Sequence, residues 1–139
     1  MSFERRRLKV YVAGPISKGD VFENVVAGVR WGRRMLQDGL APYVPHLDAY
    51  MTLSAGGAPP EANSGDYTLW NSLLEWDLEY VASSDAVFRI DGESRGADLE
   101  CKVARELGIP VFHERFGRVG GYEALLLHAQ MRGLAGVRK

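Results

Sequence analysis

Two carboxylates carry the clearest chemical promise in this sequence. Glu100 ends the stretch Ser94-Arg95-Gly96-Ala97-Asp98-Leu99-Glu100. Ser94 and Gly96 precede a helix predicted over Asp98–Leu107, which puts Glu100 in its first turn. There the helix dipole favours an ionised carboxylate, and an ionised carboxylate at a ligand-binding rim suits a nucleophile. The same placement also describes a favourable N-terminal charge with no further role. Asp77 lies beside an apolar stripe of Trp76, Tyr80 and Val81. A half-buried carboxyl group there would hold its proton to high pH and could transfer it, whereas Glu75 and Glu79 read as surface charge. Two carboxyl groups flanking one sugar can run a retaining displacement, one attacking the anomeric carbon and the other managing the leaving-group proton. Sequence spacing alone does not bring Asp77 and Glu100 together.

Other residues of chemical interest are fewer. The turn Gly14-Pro15-Ile16-Ser17-Lys18-Gly19 precedes a predicted helix and could offer backbone N–H groups to an anion. It lacks the Gly-Lys-Ser/Thr ending of a phosphate loop and the G-x-G-x-x-G spacing of a dinucleotide site. His46 follows Pro45 and could touch a ligand, while His113 and His128 offer little. No H-x-E or H-E-x-x-H spacing occurs, so no metal site and no cofactor are expected. Cys101 reads as a small core residue, and Asp85 as a cap or turn residue. Arg5, Arg6, Arg7, Arg33 and Arg34 read as solvated charge.

These residues need a scaffold. Leu8–Ala13, Leu40–Val44, Ala86–Ile90 and Ile109–Phe112 are short β-branched or aromatic runs and predict strands. Asp20 is a plausible N-cap for an amphipathic helix through Phe22, Val25, Val26, Val29, Arg33 and Leu36, stopped at Gly39. Helical spacing returns over Tyr67–Ser83, with Leu69, Trp70, Leu73, Leu74, Trp76, Tyr80 and Val81 apolar. It recurs over Asp98–Leu107, with Leu99, Val103, Ala104 and Leu107 on one side, and over Tyr122–Arg132. The stretch 45–66 holds Gly56, Gly57, Pro59 and Pro60 and little periodicity. It reads either as a binding loop or as a disordered insertion. Alternating strands and helices predict an α/β domain over 1–139, with a parallel sheet and helices on both faces. Ligands in such folds bind beyond the carboxyl ends of the strands, which gathers Gly14–Gly19, Pro45–Asp48, Ile90–Gly96 and the residues after Phe112 at one rim.

Composition bounds the partners. The chain has 139 residues, 17 Lys plus Arg against 18 Asp plus Glu, and a formal net charge of −1. That balance argues against gripping a nucleic-acid polymer or an acidic membrane. The single cysteine excludes a disulfide framework within the chain. No apolar run reaches the roughly 18 residues of a membrane span, and the charged N-terminus lacks a secretory pattern. A cytoplasmic protein is the expectation. Trp31, Trp70, Trp76 and the Leu125–Leu127 run suggest apolar surface to hide, hence a homodimer or larger homo-oligomer.

Three blocks, VYVAGPIS at 10–17, WDLEYVASSDAVFRI at 76–90 and SRGADLE at 94–100, are followed by LGIPVF. In this order they resemble the nucleoside 2-deoxyribosyltransferase-like superfamily, nearest in pattern to its 2'-deoxynucleoside 5'-monophosphate N-glycosidases and related nucleotide hydrolases. The resemblance spans Lys9 to Phe112. It implies a Rossmann-like (flavodoxin-like) fold and a small-molecule nucleotide or nucleoside as substrate. It implies Glu100 as the nucleophile at C1', Tyr11 beneath the site orienting that carboxylate, and Asp77 contacting the base and handling its proton. Gly14 and Ser17 would border the sugar or phosphate, and Gly96 would line the same end. Lys18 would supply the charge that an arginine-bearing turn supplies in the family. Ser94 stands where the transferases carry an acidic residue, which implies a 5'-phosphate in place of a 5'-hydroxyl. Asp91, Glu93 and Asp98 crowd that end and oppose a phosphate. The loop led by His46 would select the base. The expected activity is hydrolysis of a (deoxy)nucleoside 5'-monophosphate. The alternatives are base exchange by a transferase and a non-catalytic nucleotide-binding domain.

Overall fold

The apolar alternation of Leu8-Lys9-Val10-Tyr11-Val12-Ala13 builds the central strand. β1 (Lys9–Ala13) buries every residue after Lys9, as a strand covered on both faces must. It pairs in parallel with β2 (Ala41–Tyr43) on one side and β3 (Ala86–Arg89) on the other. β4 (Val111–His113) extends the sheet beyond β3. The order is β2-β1-β3-β4, all parallel. A computed structural model describes residues 2–48 and 68–135 of the chain. The predicted loop over 45–66 therefore lies outside the described residues from position 49 onward. Its first four residues, Pro45–Asp48, form a 3-10 turn directly after β2.

Parallel pairing needs a crossover between strands, and helices supply it. α1 (Val21–Gln37) is capped by Asp20, whose carboxylate accepts the Glu23 N–H at 3.1 Å. Gly39, at φ 84°, turns the chain from α1 into β2, a conformation that glycine adopts without a Cβ penalty. α2 (Thr68–Ala82) leads into β3, α3 (Arg95–Glu106) into β4, and α4 (Tyr122–Met131) follows β4. Side chains alternate across β1, so Val10 and Val12 join Met35 of α1 and Leu125 and Ala129 of α4 in one core. Tyr11 and Ala13 join Val81 of α2 and Ala97, Cys101 and Ala104 of α3 in the other. This is the expected α/β sheet with helices on both faces.

Three helical faces differ from expectation. In α1 the buried residues are Gly28, Gly32 and Met35, while Phe22 and Leu36 are exposed. A Cβ on Gly28 would lie 2.5 Å from His46 Cγ, and one on Gly32 would lie 2.7 Å from Val44 Cγ2. Glycine thus lets the chain after β2 press against α1, and apolarity alone does not reveal that. α3 starts three residues earlier than predicted, because Ser94 Oγ accepts the Ala97 N–H at 3.1 Å and caps the helix. Its buried stripe is Ala97, Glu100, Cys101 and Ala104, and Leu107 lies exposed. In α2, Asp77 and Val81 are buried, whereas Tyr80 is exposed.

The apolar run in α4 is only partly spent internally, since Leu127 is exposed. Leu125 is fully buried, and Trp31 packs its ring on Phe88 and Tyr122 at 4.6 and 5.0 Å. Those two residues therefore have core partners and do not by themselves call for a subunit contact. No helix among the described residues is long and apolar enough to cross a membrane.

Candidate active site

Tyr11 and Glu100 meet at the centre of the sheet. Tyr11 points from β1 toward α2 and α3, and its hydroxyl donates to Glu100 Oε2. Glu100 faces inward because it shares the α3 stripe with Ala97, Cys101 and Ala104. The small residues of that stripe bring the helix close to the sheet. Glu100 lies in the second helical turn, so the dipole that falls off within the first turn is not what controls it. Burial pushes its carboxyl up to about 7, partly offset by the Tyr11 hydrogen bond and the Arg89 guanidinium. Burial, reinforced by the neighbouring Glu100 and Asp77 carboxylates, holds the Tyr11 phenol protonated far above its ordinary range. Tyr11 is thus a fixed donor that favours the ionised form of Glu100.

Asp77 enters the same space from α2, buried beside Val81. Burial, a hydrogen bond to Asp48 and the negative charges of Asp48 and Glu100 push its carboxyl up to about 9. Asp48 ends the 3-10 turn after β2. Burial raises its carboxyl too, while the hydrogen bond donated by Asp77 lowers it. The two carboxyl groups therefore share a proton. Among the described residues, Asp77 Oδ1 and Asp48 Oδ2 are buried with no hydrogen-bond partner. A buried polar atom left unpaired costs about 1–3 kcal/mol, and both ring nitrogens of the buried His46 are in the same state.

The remaining groups around the cluster hold it rather than react. Arg89, at the end of β3, is buried; it donates to the Ile90 and Gly92 carbonyls and pairs with Asp98 at 3.0 Å. Its charge is thereby fixed beneath α3. Burial pushes the Cys101 thiol up to about 11, so it stays protonated and unreactive. Tyr43 stacks on Tyr11 at 5.7 Å and Tyr80 stacks on Tyr43 at 4.3 Å, so three tyrosine rings run from the buried phenol outward. Asp85 accepts the Lys9 N–H at 2.8 Å and pairs with Arg5 and Arg132. It is a tie between the N- and C-terminal parts, remote from proton chemistry, and it occupies Arg5, whose charge the sequence alone assigns to solvent.

The rim residues divide. Gly14 is buried where a Cβ would lie 2.9 Å from Ile90 Cβ and 3.4 Å from His46 Nε2, so the turn after β1 passes close against β3. Ser17 and Lys18 are exposed in that turn, and Asn24 pins it by donating to the Ile16 and Lys18 carbonyls at 3.0 and 2.7 Å. Lys18 Nζ lies 3.4 Å from Glu93, which sets this turn beside Ser94 and Gly96 at the start of α3. Gly96 is exposed with open space around it, whereas Ser94 has committed an oxygen lone pair to its cap. His46 is fully buried beneath the rim, against Gly28 and Gly14. Burial lowers its pKa to about 4, which keeps the ring neutral at pH 7. It supports the turn that carries Asp48 and offers no surface to a ligand.

Tyr11, Asp77 and Glu100 thus converge, and Asp48 and Arg89 join them without having been singled out in the sequence. The available signal for Asp48 was its position, since Pro45–Asp48 follows a strand at the rim. Arg89 had none, because a charged residue inside the AVFRI run looks no different from a tolerated strand-end charge. Among the described residues, no three His, Cys, Asp or Glu side chains are grouped to hold a metal ion.

No family model and no curated protein matches the chain. Among solved structures it is similar to a 2-deoxyribosyltransferase from the psychrotolerant bacterium Bacillus psychrosaccharolyticus, a biocatalyst for the synthesis of antiviral and antitumoral nucleosides. The two share 22% identity at a TM-score of 0.52, over 76% of this chain and 70% of the other. This likeness is one of fold.

Proposed function

We propose that this protein cleaves the N-glycosidic bond of a (deoxy)nucleoside 5'-monophosphate through a glycosyl-enzyme at Glu100. The observation that carries this reading is the pairing of a buried, Tyr11-bonded carboxylate with a second carboxyl group that keeps its proton near neutral pH. That is the division of labour a retaining glycoside displacement needs. The fold likeness to a deoxyribosyltransferase supports it.

In the first step a Glu100 carboxylate oxygen bonds to C1' and the C1'–N bond breaks. Its electron pair goes to the base, which takes the proton of Asp77. The negative charge leaves Glu100 as it becomes an ester and reappears on the Asp48–Asp77 pair. Loss of the Glu100 charge removes one of the influences that held the proton on Asp77. In the second step the Asp77 carboxylate takes a proton from water, the water oxygen bonds to C1', and the ester releases Glu100. The Tyr11 hydroxyl stays bonded to Glu100 and orients it in both steps. Ser94 retains a hydroxyl hydrogen to donate to the 5'-phosphate, and Gly96 leaves the start of α3 open to it. Gly14, Ser17 and Lys18 would border the sugar phosphate from the opposite turn.

A specific observation favours a second reading, base exchange on an unphosphorylated nucleoside. Lys18 is engaged by Glu93, and Asp91 and Asp98 flank the same end. That acidity suits a 5'-hydroxyl better than a phosphate. The test is incubation with nucleosides and nucleoside 5'-monophosphates, with and without an acceptor base, followed by chromatography. Free base and sugar phosphate without acceptor support hydrolysis of the monophosphate. New nucleoside formed only with acceptor supports exchange. No product from any of them leaves the binding-only alternative.

A further inference from the structure

We infer that Asp48 is a positioning residue for the proposed reaction, one that keeps the transferable proton on Asp77 until Glu100 has attacked the sugar. The inference rests on the glycoside-cleavage reading and adds a residue and a proton inventory to it. Three observations carry it. Asp48 and Asp77 come from different elements, the turn after β2 and the helix before β3, yet their carboxyl groups hydrogen-bond to each other. Each retains one buried oxygen with no partner. The turn that carries Asp48 is itself held from behind, because His46 is wedged into space that only a glycine at position 28 leaves. A surface acid would not need such support.

Among the described residues, acids and tyrosines face the pair. Asp77 meets Asp48 from the turn, Glu100 from α3 and Tyr11 from β1. Asp48 meets Asp77, Tyr43 from β2, Tyr11 from β1 and Glu100 from α3, and Tyr43 also faces Asp77. Arg89, from β3, acts on Glu100 instead. Among the described residues, every titratable neighbour of Asp77 is therefore an acid, and Asp48 is in hydrogen-bond contact with it. A single proton shared by two carboxyl groups stays bound while Glu100 is ionised, because losing it would place three negative charges in one dry space. Once Glu100 is esterified the pair can release that proton to the departing base. Asp48 thus acts through Asp77 and does not touch the breaking bond.

The test compares leaving groups. Wild type and Asp48→Asn are given the nucleotide whose base is released fastest, and the same nucleotide methylated on a base ring nitrogen so that the base departs without needing a proton. For the ordinary nucleotide, Asp48→Asn is expected to lower kcat/KM at pH 8 on the order of 10²-fold, the scale of general-acid assistance. Its alkaline limb should move to lower pH. For the methylated nucleotide the two proteins should turn over within twofold of each other, which also shows that the variant is folded. Glu100→Ala should be inactive on both. Equal losses on both substrates, or no loss on either, would overturn the inference and leave glycoside cleavage standing. Release of neither base by wild type would overturn the cleavage reading itself, and this inference with it.

Discussion

At the scale of single residues, protonation states set the chemistry. The proposed reaction needs Glu100 ionised and Asp77 protonated, with their carboxyl groups pushed up to about 7 and about 9. The pH dependence of kcat/KM should therefore be a bell with its plateau between those values, measurable by initial rates across pH 5–10. Tyr11→Phe removes a hydrogen bond that favours the Glu100 carboxylate. Its acid limb should move to higher pH, so activity at pH 6.5 falls more than activity at pH 8.5. An acid limb unmoved in Tyr11→Phe would show that the tyrosine does not govern Glu100. The sequence made Asp77 visible with its half-buried setting beside an apolar stripe, but not the burial of Glu100. The expected helix-dipole control of Glu100 gave way to burial, because the Ser94 cap shifts the carboxylate into the second turn.

At the scale of elements, the site depends on how closely the chain after β2 packs on α1. Gly28→Ala would put a methyl 2.5 Å from His46 Cγ. Overpacking of this kind costs about 1–3 kcal/mol, and here it should also displace the turn bearing Asp48. Thermal melting should show the loss of stability, and base release should fall beyond what the unfolded fraction explains. Ser94→Ala removes the α3 cap, worth about 0.5–2 kcal/mol. If Ser94 also holds a 5'-phosphate, KM for the monophosphate should rise while that for the nucleoside stays put. The strands and helices were legible from apolar runs and turn residues, with boundaries off by one to three residues. The inner faces of α1 and α3 were not. They are built from Gly28, Gly32, Ala97 and Ala104, small residues that carry little hydropathy signal yet decide which side can approach the sheet.

At the scale of the whole molecule, the carboxyl cluster is a cost that folding absorbs. Asp77 and Glu100 bind their protons more tightly in the folded state than in the unfolded chain, whose carboxyl groups titrate near 4. The folded state therefore holds more protons between about pH 4 and pH 9, and its stability falls as pH rises through that window. His46, lowered to about 4, works in the opposite sense and costs stability as pH falls below its unfolded value near 6.5. Asp77→Asn should consequently raise Tm at pH 8.5, by roughly 2–4 °C per kcal/mol recovered, and flatten the Tm profile between pH 6.5 and 9. A Tm lowered at pH 8.5 would contradict the buried-acid description. Such a trade, stability given up at a proposed active site, is common in enzymes. The parallel α/β class and the rim were readable from the alternation of elements. The meeting of Tyr11, Asp77 and Glu100 was implied only by the family resemblance, and that of Asp48 with them not at all, because the four come from separate elements whose proximity only the fold creates.

The claim on which the rest depends is that Glu100 attacks the sugar, and its most direct test is the rate of base release by Glu100→Ala beside wild type, with melting curves for both. The expected result is a loss on the order of 10³-fold or more in a protein that melts at or above the wild-type temperature. A folded Glu100→Ala that retains activity within tenfold of wild type would contradict it.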